Sequence, residues 1–232
     1  MENKPPVIAV TGPTASGKSD LGLKLARRLG GEIVCMDSMQ IYRRMDIGTA
    51  KPTAQERALV PHHMLDVADP TEAYAVADYA VAAEHVIDQI ISRGRLPILV
   101  GGTGLYLKAL MDGLSLGGAG GDERLRAELN ALADEPGGTA RPHARPAAVD
   151  LDTAARLHPP DRRRVIRALE IYECTGTPKS AQRSLDRKED LPYEPVLAGV
   201  TWPRETLYAR CDARVDAMLR AGLVEEVRAL RA

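Results

Sequence analysis

The stretch that decides the fold is Gly12-Pro13-Thr14-Ala15-Ser16-Gly17-Lys18-Ser19. It matches the phosphate-binding pattern G-x-x-x-x-G-K-S/T, with a short apolar run before it and a leucine-rich helical pattern after it. In such a loop the backbone N–H groups turn inward around an anion, and the lysine and the helix N-terminus add positive charge. We therefore predict a diphosphate- or nucleotide-binding loop between a strand and a helix, with Ser19 as a ligand of Mg²⁺.

The same order of strand and helix recurs along the chain. Further apolar runs lie at residues 32–35, 97–100 and 195–200, and an alanine-rich helical pattern fills residues 74–93. Strands that alternate with helices indicate an α/β protein with a parallel sheet flanked by helices, similar to the P-loop NTPases. Ligands of such sheets bind beyond the carboxyl ends of the strands.

The composition changes between residues 114 and 194, where glycine, proline and arginine dominate stretches such as 116–121 and 141–146. We interpret this region as a mainly helical inserted subdomain. The α/β core is then discontinuous and consists of residues 1–113 and 195–232. The chain ends at Ala232 within an amphipathic pattern, and we expect that further sequence follows there.

Overall composition excludes several classes of protein. The formal net charge of -1 gives no bulk attraction for RNA, so any RNA contact must come from local clusters of the 31 Lys and Arg residues. The three cysteines have neither disulfide nor zinc spacing, and no apolar run is long enough to span a membrane. We therefore expect a cytoplasmic protein without a membrane segment.

The residues that follow the other predicted strands suggest the chemistry. P-loop proteins that hydrolyse ATP or GTP place a carboxylate after an apolar strand, but the run 97–100 ends in Gly101-Gly102-Thr103-Gly104. Asp37 follows the run 32–35 and would face the bound diphosphate, as a candidate general base for an attacking amine. Asp37 could equally cap a turn or bind Mg²⁺ through water.

Two groups of arginines are candidates for binding phosphates. Residues 160–172 form a helical pattern with an outward arginine face, which suits RNA phosphates but is more often simply solvated. Arg210 and Arg214 lie one helical turn apart, so both could reach one anion. Pairing with neighbouring acidic residues explains the second group at least as well.

Five segments together are similar to the tRNA dimethylallyltransferases, also called isopentenyl-diphosphate:tRNA transferases. The first is the loop quoted above. The others are Asp37-Ser38-Met39-Gln40-Ile41-Tyr42, Met45-Asp46-Ile47-Gly48-Thr49-Ala50-Lys51-Pro52, Gly101-Gly102-Thr103-Gly104-Leu105-Tyr106 and Arg167-Ala168-Leu169-Glu170. Their joint occurrence, in this order, is much more specific than the phosphate-binding pattern alone.

The resemblance implies transfer of a dimethylallyl group from its diphosphate to the exocyclic amine of the adenosine 3′-adjacent to the anticodon, with Mg²⁺ and release of diphosphate. It implies that Asp37 is the general base, that residues 12–19 bind the diphosphate, and that Thr103 and Arg214 assist at the reacting centre. The inserted subdomain would hold the anticodon arm of the tRNA, and the enzyme would be a monomer. The tRNA-binding residues implied by the resemblance are Asp37, Ser38, Met39, Gln40, Thr103, Arg126, Arg163, Arg164, Val165, Ile166 and Arg167.

Three other functions remain open from the residues alone. A small-molecule kinase would use the same loop, with Asp37 activating a hydroxyl. A transferase acting on free AMP, ADP or ATP would need no basic insert. An RNA-binding module without activity would bind tRNA with a steep salt dependence.

Overall fold

The computed structural model describes residues 4–111, 122–134, 153, 155, 157–158, 161–176 and 191–231. The glycine-rich stretch 116–121, the stretch 141–146 with Pro142 and Pro146, and the single residues Leu151 and Pro160 lie outside them. The chain groups into two compact units, one formed by Met1–Gly113 with Glu189–Ala232 and the other by Leu114–Lys188. Each unit is described separately.

The first unit contains all five strands of the described residues. They are β1 Pro6–Thr11, β2 Gly31–Cys35, β3 His62–His63, β4 Leu96–Gly101 and β5 Glu194–Gly199. Its helices are α1 Lys18–Leu29, α2 Ala54–Leu59, α3 Val76–Ser92, α4 Gly104–Met111, α7 Arg204–Arg220 and α8 Leu223–Arg231. The described helices of the second unit are α5 Glu123–Asp134 and α6 Arg162–Thr175.

The strands form one parallel sheet in the order β3-β2-β4-β1-β5. Successive side chains of a strand point to opposite faces, and β1 shows this clearly. Val7 and Ala9 pack into a core with α3 and α4, whereas Val10 packs into a second core with α1. Helices therefore cover both faces, which confirms the predicted parallel sheet flanked by helices.

The strand order decides which loops meet at the carboxyl edge of the sheet. β4 lies between β1 and β2, so the loops after these three strands lie side by side. These loops carry the phosphate-binding sequence, Thr103 and Asp37, in that order across the edge. Asp37 is thus one strand removed from the phosphate-binding loop.

Two parts of the chain differ from the sequence-based expectation. Residues 42–63, where the sequence patterns predict no helix, contain α2, which begins with a capping box between Thr53 and Glu56. Residues 189–194 had been placed in the insert but group with the first unit. The reason is that Tyr193 is buried in the first core and its hydroxyl donates to the Leu110 carbonyl oxygen.

In the second unit, α5 and α6 pack through Leu129, Ile166 and Leu169. Asp161 caps α6 by accepting from the Arg164 N–H, and Gly176 ends the helix in the left-handed conformation. Arg162 adds hydrogen bonds from α6 to Asn130 and Asp134 of α5. Among the residues described, no helix has both the length and the apolar character needed to cross a membrane.

Candidate active site

The phosphate-binding loop has the backbone geometry that an anion site requires. Gly17 precedes α1 in the left-handed conformation, with φ of 91°, a region that L side chains rarely adopt. Gly12 has no room for a side chain, because a Cβ there would lie 2.6 Å from the Val200 carbonyl oxygen and 2.9 Å from Ser16 Oγ. Ala15 also has positive φ, at 60°. The loop is therefore held in a strained, fixed shape before any ligand binds.

Lys18 brings positive charge into this loop. Its Nζ donates to the Pro13 carbonyl oxygen at 3.3 Å. Burial lowers the pKa of Lys18, the Asp37 carboxylate acts in the opposite direction, and the Arg214 guanidinium lowers it further. The burial and the neighbouring cation both disfavour the charged lysine, so an anion bound here would relieve an existing electrostatic cost.

Two polar atoms of the site are buried without a hydrogen-bond partner within the described parts of the chain. They are Ser16 Oγ in the loop and Arg214 Nε on α7. Buried polar groups are nearly always paired in folded proteins, so an unpaired one calls for an explanation. Arg214 also lines the cavity described below. The Arg214 guanidinium thus faces the cavity, while its buried Nε–H has no partner among the described residues.

Trp202, just before α7, and Arg210 of α7 hold the loop through hydrogen bonds. The Trp202 indole N–H donates to the Ser16 carbonyl oxygen at 2.7 Å, and Arg210 Nε donates to the Ala15 carbonyl oxygen at 2.7 Å. The Arg210 guanidinium also lies over the Trp202 ring, 5.1 Å from its centroid. Arg210 thus holds the loop rather than an acidic neighbour. No local sequence pattern predicts the contact of Trp202 with the loop.

Asp37 both caps a turn and faces the cavity. Its Oδ1 accepts hydrogen bonds from the Met39 and Gln40 N–H groups at 2.9 and 3.4 Å. Its Oδ2 has no hydrogen bond to any of the residues described, while the side chain lines the cavity. One oxygen is therefore used to hold the residue in place, and the other can accept a proton.

Thr103 and Gly101 position the turn that carries Asp37. The Thr103 hydroxyl accepts from the Ser38 N–H at 3.0 Å, and the Thr103 N–H donates to the Met36 carbonyl oxygen at 3.3 Å. A Cβ on Gly101 would lie only 1.8 Å from that same Met36 oxygen. Thr103 is not among the cavity-lining residues. Its observed contacts favour a role in positioning the turn.

The phosphate-binding loop, Asp37 and α7 all line one cavity of about 1180 Å³. One wall is the phosphate-binding loop, with Lys18 and Ser19, beside Asp37. The segment 46–54 forms a second wall, and α7 forms a third, with Arg210, Ala213, Arg214, Ala217 and Met218. Since a helix rises 1.5 Å per residue, Met218 lies about 12 Å along α7 from Arg210. The α7 wall of the cavity thus changes from Arg210 and Arg214 near the loop to Ala217 and Met218 further along the helix.

A buried lysine that the sequence analysis missed anchors the second wall. Lys51, whose side chain is 1% exposed, donates to the Tyr42 carbonyl oxygen and forms ion pairs with Asp46 at 2.8 Å and Asp66 at 2.6 Å. Burial alone would raise the pKa of Asp66, but hydrogen bonds from Lys51 and Arg57 outweigh it and lower that pKa. No local pattern links residues 46, 51 and 66, so only the fold reveals this network.

Gln40 holds the same segment. Its amide donates to the carbonyl oxygens of Thr49 and Ala50 at 2.9 and 3.1 Å, and its Oε1 accepts from the Cys35 thiol at 3.0 Å. Among residues 37–40, which the resemblance assigns to tRNA binding, Met39 is exposed and Gln40 is engaged within the protein.

The predicted tRNA-binding residues of the second unit fall into three groups. Arg126 and Arg167 each bind the carboxylate of Glu170 at 2.8 Å, and that side chain is only 1% exposed. Arg163 and Arg164 are exposed at the start of α6. Val165 and Ile166 are buried, so their side chains do not present a surface to RNA in this structure.

The fold and the loop define an α/β protein with a P-loop-like fold, in which the Asp37 carboxylate lines the same cavity as the loop. The sequence model of the IPP transferase family matches residues 40–232. The chain belongs to this family.

Comparison with individual proteins agrees with this assignment. The chain is 50% identical to the tRNA dimethylallyltransferase of Pelotomaculum thermopropionicum, over 98% of this chain and 71% of that protein. It is 48% identical to the tRNA dimethylallyltransferase of Moorella thermoacetica, over 100% of this chain and 73% of that one.

Two solved structures are also similar. The tRNA isopentenylpyrophosphate transferase of Bacillus halodurans is 44% identical with a TM-score of 0.66, covering 99% of this chain and 70% of its own. A eukaryotic dimethylallyltransferase solved while acting on tRNA is 33% identical with a TM-score of 0.83, covering 98% and 56% respectively.

Proposed function

We propose that this enzyme modifies tRNA by moving a dimethylallyl group from dimethylallyl diphosphate to the exocyclic amine of the adenosine 3′-adjacent to the anticodon, with release of diphosphate. Family membership supports the class of reaction. The observation that carries the proposal is the cavity in which the phosphate-binding loop and the free oxygen of Asp37 face the same space. That arrangement supports a reaction in which the leaving diphosphate and the proton acceptor lie within one site.

The proposed step uses the phosphate-binding loop and Asp37, which line the same cavity. The adenosine amine attacks the allylic carbon, the bond from that carbon to the diphosphate oxygen breaks, and the proton leaving nitrogen passes to Asp37 Oδ2. Charge builds on the departing diphosphate at the same time. Lys18, Arg214 and the loop N–H groups stabilise that charge, because they are already oriented in a fixed geometry.

Mg²⁺ fits the residues at the loop. Ser19 lines the cavity at the start of α1 and offers a hydroxyl oxygen, a kind of ligand that this ion prefers. Together with oxygens of the diphosphate, Ser19 would hold it. The ion would supply further neutralisation of the leaving group.

The substrate adenosine must leave its base stack to reach the cavity, as nucleobase-modifying enzymes generally require. We propose that exposed Arg163 and Arg164 of the second unit bind phosphates of the anticodon arm. A monomeric, cytoplasmic enzyme stays a prediction.

The experiment that tests the proposal compares Asp37→Asn with Asp37→Ala in single-turnover transfer to an anticodon stem-loop. Asparagine keeps the Oδ1 acceptor for the Met39 and Gln40 N–H groups but cannot take a proton. We expect Asp37→Asn to bind inorganic diphosphate like the wild type and to lose about a hundredfold or more in rate, the usual size of a general-base effect.

The outcomes separate the proposal from its alternatives. A rate for Asp37→Asn near that of the wild type would show that Asp37 is not the base. Wild-type turnover of ATP with a small alcohol would favour a kinase, and inhibition of transfer by free AMP would favour a nucleotide acceptor. Binding of tRNA without any product would leave an RNA-binding module.

A further inference from the structure

The carboxylate of Glu226 on α8 binds three consecutive backbone N–H groups. Asp46 and Ile47 donate to its Oε2 at 2.8 and 2.7 Å, and Gly48 donates to its Oε1 at 2.9 Å. Burial alone would raise the pKa of Glu226, but these three hydrogen bonds outweigh it and lower that pKa. Residues 46–48 and Glu226 are called the clasp below.

The clasp is reinforced by packing around it. A Cβ on Gly48 would lie 3.1 Å from Leu223 Cδ1, and one on Gly222 would lie 3.9 Å from Ile47 Cδ1. The turn between α7 and α8 therefore sits directly against this segment. Lys51 holds the same segment from the other side through Asp46. Residues 46–48 are thus fixed between α8 and a buried lysine.

The clasp holds a residue that lines the cavity. Ile47 lines the cavity, as do Ala217, Met218 and Ala221 at the end of α7. Ala217 and Met218 lie about two turns along α7 from Arg210, which contacts the phosphate-binding loop. A ligand whose diphosphate occupies the loop would direct its apolar part toward this end.

We infer that Glu226 is a positioning residue, which holds Ile47 beside the turn that follows α7 and so completes the apolar wall that contacts the dimethylallyl group of the donor. The inference rests on the proposed function. It separates two parts of donor binding: the phosphate-binding loop recognises the diphosphate, and the clasp supports recognition of the hydrocarbon. Loss of the clasp therefore weakens binding of the hydrocarbon and leaves binding of the diphosphate.

The test compares Glu226→Gln with the matched control Glu225→Gln. Glu225 is the neighbouring residue on the same helix, and its carboxylate pairs with Arg228 at the surface. A glutamine at 226 presents an NH₂ group where an N–H donor of the loop needs an acceptor. Affinities for dimethylallyl diphosphate and for inorganic diphosphate are measured by calorimetry with Mg²⁺. Hydrogen exchange of the amides of residues 46–48 is followed in parallel.

We expect the wild type and Glu225→Gln to prefer dimethylallyl diphosphate over diphosphate. In Glu226→Gln this preference falls on the order of tenfold, as expected from exposing a few apolar carbons, with diphosphate affinity retained and faster exchange at 46–48. Ile47→Ala, which removes the apolar side chain and keeps the clasp, reduces the preference similarly.

An unchanged preference in both Glu226→Gln and Ile47→Ala overturns the inference but leaves the proposed function intact. Equal loss of both affinities in Glu226→Gln also overturns it, since the clasp would then support the whole site. A wild type without any preference for the prenylated ligand overturns the proposed function as well.

Discussion

Lys51 shows how a single residue can organise one wall of the site. An isolated ammonium group is costly to bury. Here the cost is offset because Nζ reaches two carboxylates and one carbonyl oxygen. The carboxylates belong to Asp46, which is part of the clasp, and to Asp66, which follows β3. One lysine therefore ties together two loops that the sequence separates.

Replacing Lys51 by methionine tests this role. The change leaves the partly exposed Asp46 and Asp66 without their shared cation, while Arg57 still binds Asp66. Losing hydrogen bonds to charged groups costs about 1.5 to 3 kcal/mol. We expect a loss of this size in the free energy of unfolding, measured by urea denaturation.

Lys24→Met is the matched control. Lys24 pairs with Asp20 at the surface of α1, where the two side chains are 71% and 67% exposed. Such pairs contribute about 0.5 kcal/mol or less. Equal losses for the two variants would contradict the role given to Lys51.

At the scale of elements, the ends of β2 and β4 lie so close together that a side chain on Gly101 would not fit between them. Met36 donates to Val100 at 2.8 Å and accepts from Thr103 at 3.3 Å. Gly101 lies within this pairing. The close approach of these two strand ends fixes the distance between Asp37, which follows β2, and β4, which lies next to β1 and its phosphate-binding loop.

Gly101→Ala is expected to disrupt this junction. The added methyl group would collide with the Met36 backbone, 1.8 Å away, and the backbone cannot move aside as a flexible side chain can. We expect a loss of about 3 kcal/mol or more in unfolding free energy, together with loss of transfer activity.

The control for that change is three residues away. Gly104, at the start of α4, has nothing within 4 Å of an added Cβ, so Gly104→Ala should leave stability within about 0.5 kcal/mol of the wild type or raise it slightly. A thermal-unfolding comparison that finds Gly101→Ala equally tolerated would refute the close approach.

At the scale of the whole molecule, several ionised carboxylates are tied to the folded state. The pKa values of Glu32, Asp66 and Glu226 in the first unit, and of Glu170 in the second, are lowered. In each case burial acts the other way and is outweighed by hydrogen bonds. Glu32 accepts from Arg93 and His63, and Asp66 accepts from Lys51 and Arg57. Glu226 accepts from backbone N–H groups, and Glu170 accepts from Arg167 and Arg126.

The sign of the resulting pH dependence follows. A carboxylate with a lowered folded pKa stabilises the fold above its unfolded pKa, and that contribution is lost as the pH falls through the folded value. We expect urea midpoints that change little from pH 7 to about 5 and fall progressively below about pH 4.5, near the unfolded pKa of glutamate. Midpoints that rise on acidification would contradict the assignment.

The sequence alone determined what depends on neighbours in the chain. The phosphate-binding pattern, the strands before Asp37 and Thr103, and the helix that begins near Arg162 are local patterns, and the structure has each of them. Local patterns are readable because a turn, a cap or a buried face needs residues only a few positions apart. The resemblance to a family also depended on such short segments.

Only the tertiary structure decided which distant residues meet. Trp202 bonds to Ser16 across 186 positions, and Glu226 reaches Ile47 across 179. Asp37 proved to be both a turn cap and a group facing the cavity, a choice that its position in the sequence left open. Such contacts leave no periodic signal, because the strand order β3-β2-β4-β1-β5 and the return of α7 and α8 over the sheet edge create them.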